Sequence, residues 1–380
     1  MSTAGQRGPE VRSDCWVSVT ATADAPTVQI ESRVAALYGE SIRALVHETL
    51  EALEAPDLDV QIEDTGALPY VIQARVEAAV RRLRPDTSRE ALPERRQRRP
   101  ATVADAPRRS RLYLPGNTPK FLVNAGLHRP DCVILDLEDS VAPEEKDAAR
   151  LLVRNALRAV DFYGAEVWVR VNGGAAGLDD IRQLAPHGAN GFVLPKVESA
   201  ADVEAVVEAL AGHDGIHLMP IVESARGVAD ARAIAEAPQV AALAIGLEDY
   251  TADIGATRTP GGLESLWARS QVVNAARAAG VQPLASVYAD VDDLSGMERF
   301  AAEARAFGFD GVACLHPRQI GVAHAGFRPG PEELERARRV VAALETARAA
   351  GSGVASLDGK MIDAPVAARA RRVLRWVEAP

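Results

Sequence analysis

Acidic, basic and amide side chains stand at the ends of short apolar runs along most of this 380-residue chain. "CVILDLEDS" ends on Asp136, Glu138 and Asp139, "VWVRVN" on Arg170 and Asn172, and "GFVLPKVE" carries Lys196. "HLMPIVES" leads to Glu223 and "ALAIGLEDY" to Glu248 and Asp249, while Asn117, Tyr288 and His316 close three further runs. Glu223 and Asp249 are natural ligands for a hard cation. Mg²⁺ takes oxygen ligands, usually one or two protein carboxylates, and keeps positions for water and substrate. Taken singly, each carboxylate is equally well read as a cap of the helix that follows. Gathered on one face they would repel one another and require a cation. Asp136 and Glu138, two residues apart, point to one side of a strand and would orient metal-bound water from behind. Asp139 reads equally well as part of a solvated acidic loop. Arg170, in the middle of an apolar strand, must be paired or functional. A guanidinium beside a metal suits recognition of a carboxylate and stabilisation of an oxyanion. Lys196 reads as an ion-pair partner of the same carboxylates or, alternatively, a Schiff-base lysine. His316 reads as a base or as an imidazole anchored to a neighbouring loop.

These residues act together only if the chain gathers them. Eight apolar runs alternate with Ala-rich amphipathic segments over 110–317, which predicts parallel strands closing into an α/β fold of the (β/α)8 TIM-barrel type, with a helical extension behind it. In such a barrel the C-terminal strand ends form one face, and the polar residues named above converge there. A barrel of roughly 250 residues leaves room for a companion domain. Residues 13–83 predict a small α+β module: strands over 15–22, 27–32 and 57–63, and helices over 38–53 and 71–83. Between the two parts, Arg84 to Arg109 is rich in Arg and Pro and nearly devoid of large apolar residues. It reads as a flexible linker that buries nothing.

The bulk composition narrows the partners. A formal net charge of −10 argues against a nucleic-acid partner. No run approaches the roughly 18 apolar residues of a membrane span, and the N-terminus has no apolar targeting segment. Cys15, Cys132 and Cys314 are few, odd in number and far apart, which fits a reducing cytoplasm.

The segments "RSRLYLPGN", "VILDLEDSVAPEEKDAAR", "VWVRVN", "LPKVES", "IVESARG", "GLEDYTADIGA", "LHPRQI" and "DGKMIDAP", in this order, resemble the citrate lyase β-subunit family, with its malyl-CoA and citramalyl-CoA lyase relatives in the HpcH/HpaI aldolase superfamily. The resemblance covers 110–380. It implies a Mg²⁺-dependent barrel that cleaves a 3-hydroxyacyl thioester of CoA or an acyl carrier, by retro-Claisen chemistry, into an acetyl-type thioester and a 2-keto acid (oxaloacetate, pyruvate or glyoxylate). Carried over by motif, Glu223 and Asp249 would hold Mg²⁺, with Glu223 also touching substrate. Arg170 would grip the keto-acid side and stabilise the alkoxide. Asp363, in "MID", would protonate the enolate at a neighbouring subunit's site in a homotrimer. Two departures stand out: Val312 follows Gly311 where relatives often have Lys, and Ser224 follows the metal-binding Glu in place of Thr. Thioester hydrolysis, as in a malyl-CoA thioesterase, or malate-synthase-like condensation are alternative chemistries for the same site.

"SRVAALYGESIRALVHETLEAL" and "DTGALPYVIQARVEAAVRRL" resemble the citrate lyase γ-subunit, an acyl carrier protein that bears a CoA-derived thiol on serine. The resemblance implies a phosphoribosyl-dephospho-CoA arm, for which Ser13 is the candidate attachment point. The usual serine position is occupied by Arg12, one residue earlier. The alternative is a docking domain without an arm.

Overall fold

The computed structural model describes residues 1–23, 25–95, 102–259 and 261–378. The N-terminal module is a four-stranded sheet of β1 (Ser2–Gly5), β2 (Cys15–Ala21), β3 (Val28–Ser32) and β4 (Leu58–Asp64), in the order β1-β2-β4-β3. Helices α1 (Ala35–Ala52) and α2 (Pro69–Leu83) accompany it. Val17, Val19, Val60 and Ile62 of the sheet, Val46 and Leu50 of α1, and Ile72 and Val76 of α2 are buried in the core. Pro69 at the first position of α2 is preset for a helix start, which advances the helix two residues ahead of the predicted one.

Eight parallel strands follow: β5 (Ser110–Pro115), β6 (Cys132–Asp136), β7 (Glu166–Arg170), β8 (Gly191–Leu194), β9 (His217–Val222), β10 (Ala242–Ile245), β11 (Gln282–Leu284) and β12 (Val312–Cys314). Their order is β11-β10-β9-β8-β7-β6-β5-β12. A parallel bridge from Val287 to Ala313 joins the two ends, and the Ala285 N–H donates to the Gly311 carbonyl at 2.8 Å. The expected barrel is therefore present, each strand falling on one of the eight apolar runs. Alternate residues of each strand face inward, where Ile134, Trp168, Val193, Met219, Ala242, Ala244 and Leu284 form the interior cluster. The C-terminal extension is a helix (Pro331–Ala349), a hairpin of β13 (Ala355–Leu357) and β14 (Lys360–Ile362), and a last helix (Ala364–Glu378). It has a small core of its own around Val340, Leu344, Ile362 and Ala367.

The stretch 84–109 departs from the expectation that it buries nothing. Ala91 is buried and its N–H donates to Glu77 Oε2 at 2.9 Å. Arg158 Nε donates to the Pro93 carbonyl at 2.8 Å. Arg108 is fully buried, donating to Glu166 at 2.7 and 3.0 Å and to Gln282 at 2.8 Å. An arginine-rich segment buries its arginines when partners distant in sequence neutralise them. Residues 96–101 of this stretch lie outside the described residues.

The module also packs directly on the barrel through α2 and the helix Lys146–Ala159. Arg154 donates to Glu77 at 2.9 and 2.6 Å, with both side chains buried. Arg82 makes a two-point pair with Asp147 at 2.7 and 2.6 Å, and Asn155 Nδ2 donates to the Tyr70 carbonyl at 3.1 Å. Among the described residues no helix is long and apolar enough to cross a membrane.

Candidate active site

Strands β6, β7 and β9 end in the polar residues that meet at the barrel mouth. Arg170, the last residue of β7, donates from Nε to Asp136 Oδ1 at 2.6 Å and from Nη2 to Oδ2 at 2.8 Å. Its Nη1 lies 3.3 Å from Asp139 Oδ2, within hydrogen-bond reach, and 2.8 Å from Glu138 Oε2 without hydrogen-bond alignment. The guanidinium also lies over the Tyr113 ring, 5.5 Å from its centroid. Lys196 Nζ donates to the other Glu138 oxygen at 3.0 Å. The arginine buried in an apolar strand is thus paired.

Lys196 has a left-handed backbone, φ 54°, a conformation that costs a residue with a side chain and that clusters at functional sites. Its backbone N–H donates to Glu223 Oε1 at 2.7 Å. On the neighbouring strand, Gly246 lies so close to Glu223 that a Cβ there would stand 2.3 Å from Oε2. Asp249 sits in the first turn of the helix Leu247–Asp253 and lines the same cleft of about 470 Å³ with Arg170, Asp136, Asp139 and Glu223.

The electrostatics separate these carboxyls. Burial alone would raise Asp136, but the Arg170 hydrogen bonds outweigh it and hold its pKa below the ordinary value. Burial raises Glu138 against the pull of Arg170 and Lys196. Glu223 is pushed up to about 7, first by burial and then by the charges of Asp249 and Glu138, against the stabilising Lys196 N–H. A divalent cation would relieve this crowding. The donor set is hard oxygen, and no group of three His, Cys, Asp or Glu able to hold a metal occurs among the described residues. Two carboxylates with open positions are what Mg²⁺ accepts, and Glu223 and Asp249 fit it.

Other predicted residues lie elsewhere. Asn172 Nδ2 donates to Asp180 at 2.7 Å, and Lys146, which also donates to the Leu137 and Glu138 carbonyls at 3.0 Å, reaches its Oδ1. Together they brace the "DLED" loop. His316 Nδ1 accepts from the Arg318 N–H at 3.1 Å, a helix-capping contact, and Tyr288 donates to Asp293 at 2.6 Å. Glu248 does line the cleft, where its carboxylate pairs with Arg258 at 2.6 Å. Asp363 accepts from the Val366 N–H at 3.1 Å, capping the last helix, and is not among the cleft-lining residues of its own chain. Ser13, with φ 57°, donates its N–H to the Thr65 carbonyl at 3.2 Å. Its neighbour Asp14 is buried in a two-point pair with Arg75, at 3.0 and 2.8 Å. Arg75 in turn donates to the carbonyl of Asn117, at the mouth end of β5, at 3.0 Å.

Residues not singled out in the sequence complete the cleft: Arg111 and Tyr113 on β5, Gly246 after β10 and Ser286 after β11. The inward period of β5 selects Arg111 and Tyr113, whereas the role of Gly246 depends on the neighbouring strand β9. A larger cleft of about 1380 Å³ opens at the other end of the barrel, lined by Arg109, Asp131, Glu166 and His324. It contains none of the mouth carboxylates Asp136, Glu138, Asp139, Glu223 and Asp249.

Comparison with known proteins agrees with this geometry. The HpcH/HpaI aldolase/citrate lyase family matches residues 109–317. The acyl carrier family described as malonate decarboxylase delta subunit (MdcD) matches residues 4–83, taking in β1. Citrate lyase subunit beta of Leuconostoc mesenteroides subsp. cremoris is 38% identical over 287 residues, 72% of this chain and 94% of that one. Human mitochondrial citramalyl-CoA lyase is 34% identical, over 70% of this chain and 85% of its own. The structure of CitE from Mycobacterium tuberculosis in complex with magnesium, acetoacetate and coenzyme A is 35% identical with a TM-score of 0.62, covering 73% of this chain and all of that one. Fold and site define a barrel lyase of carboxylate-rich mouth. The chain belongs to the HpcH/HpaI aldolase/citrate lyase family and is a carbon–carbon lyase, with an MdcD/ACP-like domain at its N-terminus.

Proposed function

We propose that this chain cleaves a 3-hydroxyacyl thioester of the citryl-, citramalyl- or malyl-CoA type into an acetyl-type thioester and a 2-keto acid. The observation that carries the reading is the placement of Arg170, held by Asp136, on the same cleft as the crowded pair Glu223 and Asp249. Mg²⁺, held by Glu223 and Asp249, would supply Lewis acidity at the substrate's oxygens. Arg170 faces the hydroxyl oxygen as that oxygen passes its proton to solvent in the open cleft and becomes the keto oxygen, and stabilises the negative charge there. The carbon–carbon bond breaks, its electron pair passes to the thioester-bearing carbon, and a proton returns to that carbon. Asp363 of a neighbouring copy in a homotrimer is the assigned donor of that proton. Lys196 and Glu138 set the charge balance around Arg170, and His316 supports the mouth as a helix cap.

The reading makes Ser13 the attachment point for a phosphoribosyl-dephospho-CoA arm, supported by its place beside the Asp14–Arg75 pair that touches the Asn117 loop. The three free cysteines, all buried, support a cytoplasmic setting. Mg²⁺-dependent release of a 2-keto acid from citryl-, citramalyl- or malyl-CoA tests the activity. Full activity in both Glu223→Ala and Asp249→Ala would overturn the site assignment, and a product with an intact carbon skeleton would indicate hydrolysis instead. Intact mass of the purified protein tests the arm on Ser13.

A further inference from the structure

Four arginines are almost wholly inaccessible: Arg75, Arg108, Arg111 and Arg154. Three of them are paired with carboxylates, Arg75 with Asp14, Arg108 with Glu166 and Arg154 with Glu77. Arg111, pointing into the barrel from β5, is different. Its Nη2 donates to the Ala285 carbonyl and its Nη1 approaches Met219 Sδ at 3.8 Å. Its buried Nε has no hydrogen-bond partner among the described residues. The ionisable groups that bear on its charge are Tyr113, Cys132, Cys314 and Arg108, none of them a carboxylate. A buried guanidinium without an anion is costly to keep, so its retention needs a reason.

Strand register locates the charge. Ala244 stands level with Ile221 on one side and with Leu284 on the other. Ala285, to which Arg111 donates, is therefore level with Ile245 and Val222, one residue below Glu223. The guanidinium lines the same cleft as Glu223 and Asp249, in company with the small or apolar Ile221, Ala244 and Ala313. It forms the floor beneath the carboxylate pair. Arg170 directs all three of its nitrogens at carboxylates of its own chain and has only its second Nη protons left for substrate, whereas among the described residues Arg111 has no carboxylate on any nitrogen and its Nε is unpartnered.

We propose that Arg111 is a specificity-determining residue that receives a carboxylate on the oxo-acid half of the substrate. The lyase then prefers a hydroxyacyl thioester whose oxo-acid product carries a second carboxylate over one whose product ends in a methyl group. The proposal rests on the lyase reading above. A carboxylate matches the guanidinium in charge and in its donor fork, and it satisfies the orphaned Nε. A site built to hydrogen-bond a polar group rejects the analogue that lacks it, because its own donors are then left unpaired.

The test uses the full-length, Mg²⁺-loaded protein with citryl-CoA and citramalyl-CoA, whose products are oxaloacetate and pyruvate. The wild type is expected to favour citryl-CoA in kcat/KM by about 100-fold. Arg111→Met abolishes the preference, and Arg111→Lys leaves part of it. A wild-type ratio near one, or a ratio that survives in Arg111→Met while both rates fall together, overturns the proposal and leaves the lyase reading standing. If the wild type cleaves neither ester, calorimetry with oxaloacetate and pyruvate in Mg²⁺ decides on Arg111 separately, and the lyase reading itself fails if malyl-CoA is not cleaved either. Tighter oxaloacetate binding that is lost in Arg111→Met upholds the proposal; equal affinities overturn it. If Arg111→Met does not fold, the wild-type preference and its reduction in Arg111→Lys decide in its place.

Discussion

Asp136 grips Arg170 at two points, with 2.6 and 2.8 Å between the paired atoms, so the guanidinium reaches the cleft already oriented. Asp136→Asn removes the charge and one acceptor while keeping the shape. It is expected to lower kcat by about 100-fold, as loss of a positioned electrostatic group does. Stability falls by about 2 kcal/mol, the worth of a hydrogen bond to a charged group, because the cation loses its two-point carboxylate but keeps Glu138 and Asp139 beside it. Steady-state kinetics and urea unfolding read the two effects, and unchanged kcat would sink the positioning role.

Glu223 gives the metal-free protein a specific pH signature. Its pKa rises from 4.5 to about 7 on folding. Below 4.5 both states hold the proton. Between 4.5 and 7 the unfolded chain releases it first, so stability is lost as pH rises through this window, by about 3 kcal/mol in all. Glu223→Gln should therefore stabilise the metal-free protein at pH 8 but not at pH 4.5, and should remove the stabilisation by Mg²⁺. Thermal melts at the two pH values, with and without Mg²⁺, check it.

Gly246 is required by the neighbouring carboxylate. A Cβ at this position would stand 2.3 Å from Glu223 Oε2 and 2.9 Å from its Cβ, so Gly246→Ala must push Glu223 aside. Mg²⁺ affinity is expected to fall at least tenfold, about the loss seen when the support of a ligand is removed. Calorimetric titration with Mg²⁺ measures it. Wild-type affinity in this variant would show that Glu223 can move without consequence.

The buried pair of Glu77 and Arg154 couples the N-terminal module to the barrel. Glu77→Ala leaves Arg154 buried beside a lost partner and should cost about 3 to 5 kcal/mol. In the wild type the module and barrel should unfold together. In the variant a first, low-denaturant transition of the module is expected, visible by hydrogen exchange in α2. A single unshifted transition would argue against coupling.

Asp363 acting in trans predicts complementation. Glu223→Gln and Asp363→Asn, each inactive alone, should recover activity on mixing and reassembly, to about a quarter of wild type if sites form randomly between copies of a closed oligomer. Size-exclusion chromatography and activity after mixing check this together.

The barrel strands were legible because each apolar run ends in a polar residue and is followed by an amphipathic segment. Period two placed Asp136 and Glu138 on one side of their strand, and an arginine in an apolar strand pointed to Arg170. β1 was not legible: Ser2–Gly5 has no large apolar residue, and it is a strand because Ser2 to Gly5 pair with Val19 to Trp16. The 84–109 stretch was misjudged for a related reason. The burial of Arg108 depends on Glu166 and Gln282, 58 and 174 residues away, which local composition does not report. Arg111 was passed over inside its strand because an inward arginine is informative only once the absence of a carboxylate around it is visible.

The anchoring of α2 against the helix Lys146–Ala159 alters what fusion of a carrier-like module to a lyase achieves. A tethered carrier would work as a crane, swinging a cargo through the space its rope allows. Here residues 84–95 are a strut. Anything attached at Ser13 must cover the distance to the mouth by its own reach, because the module that carries it is pinned to the barrel of its own chain.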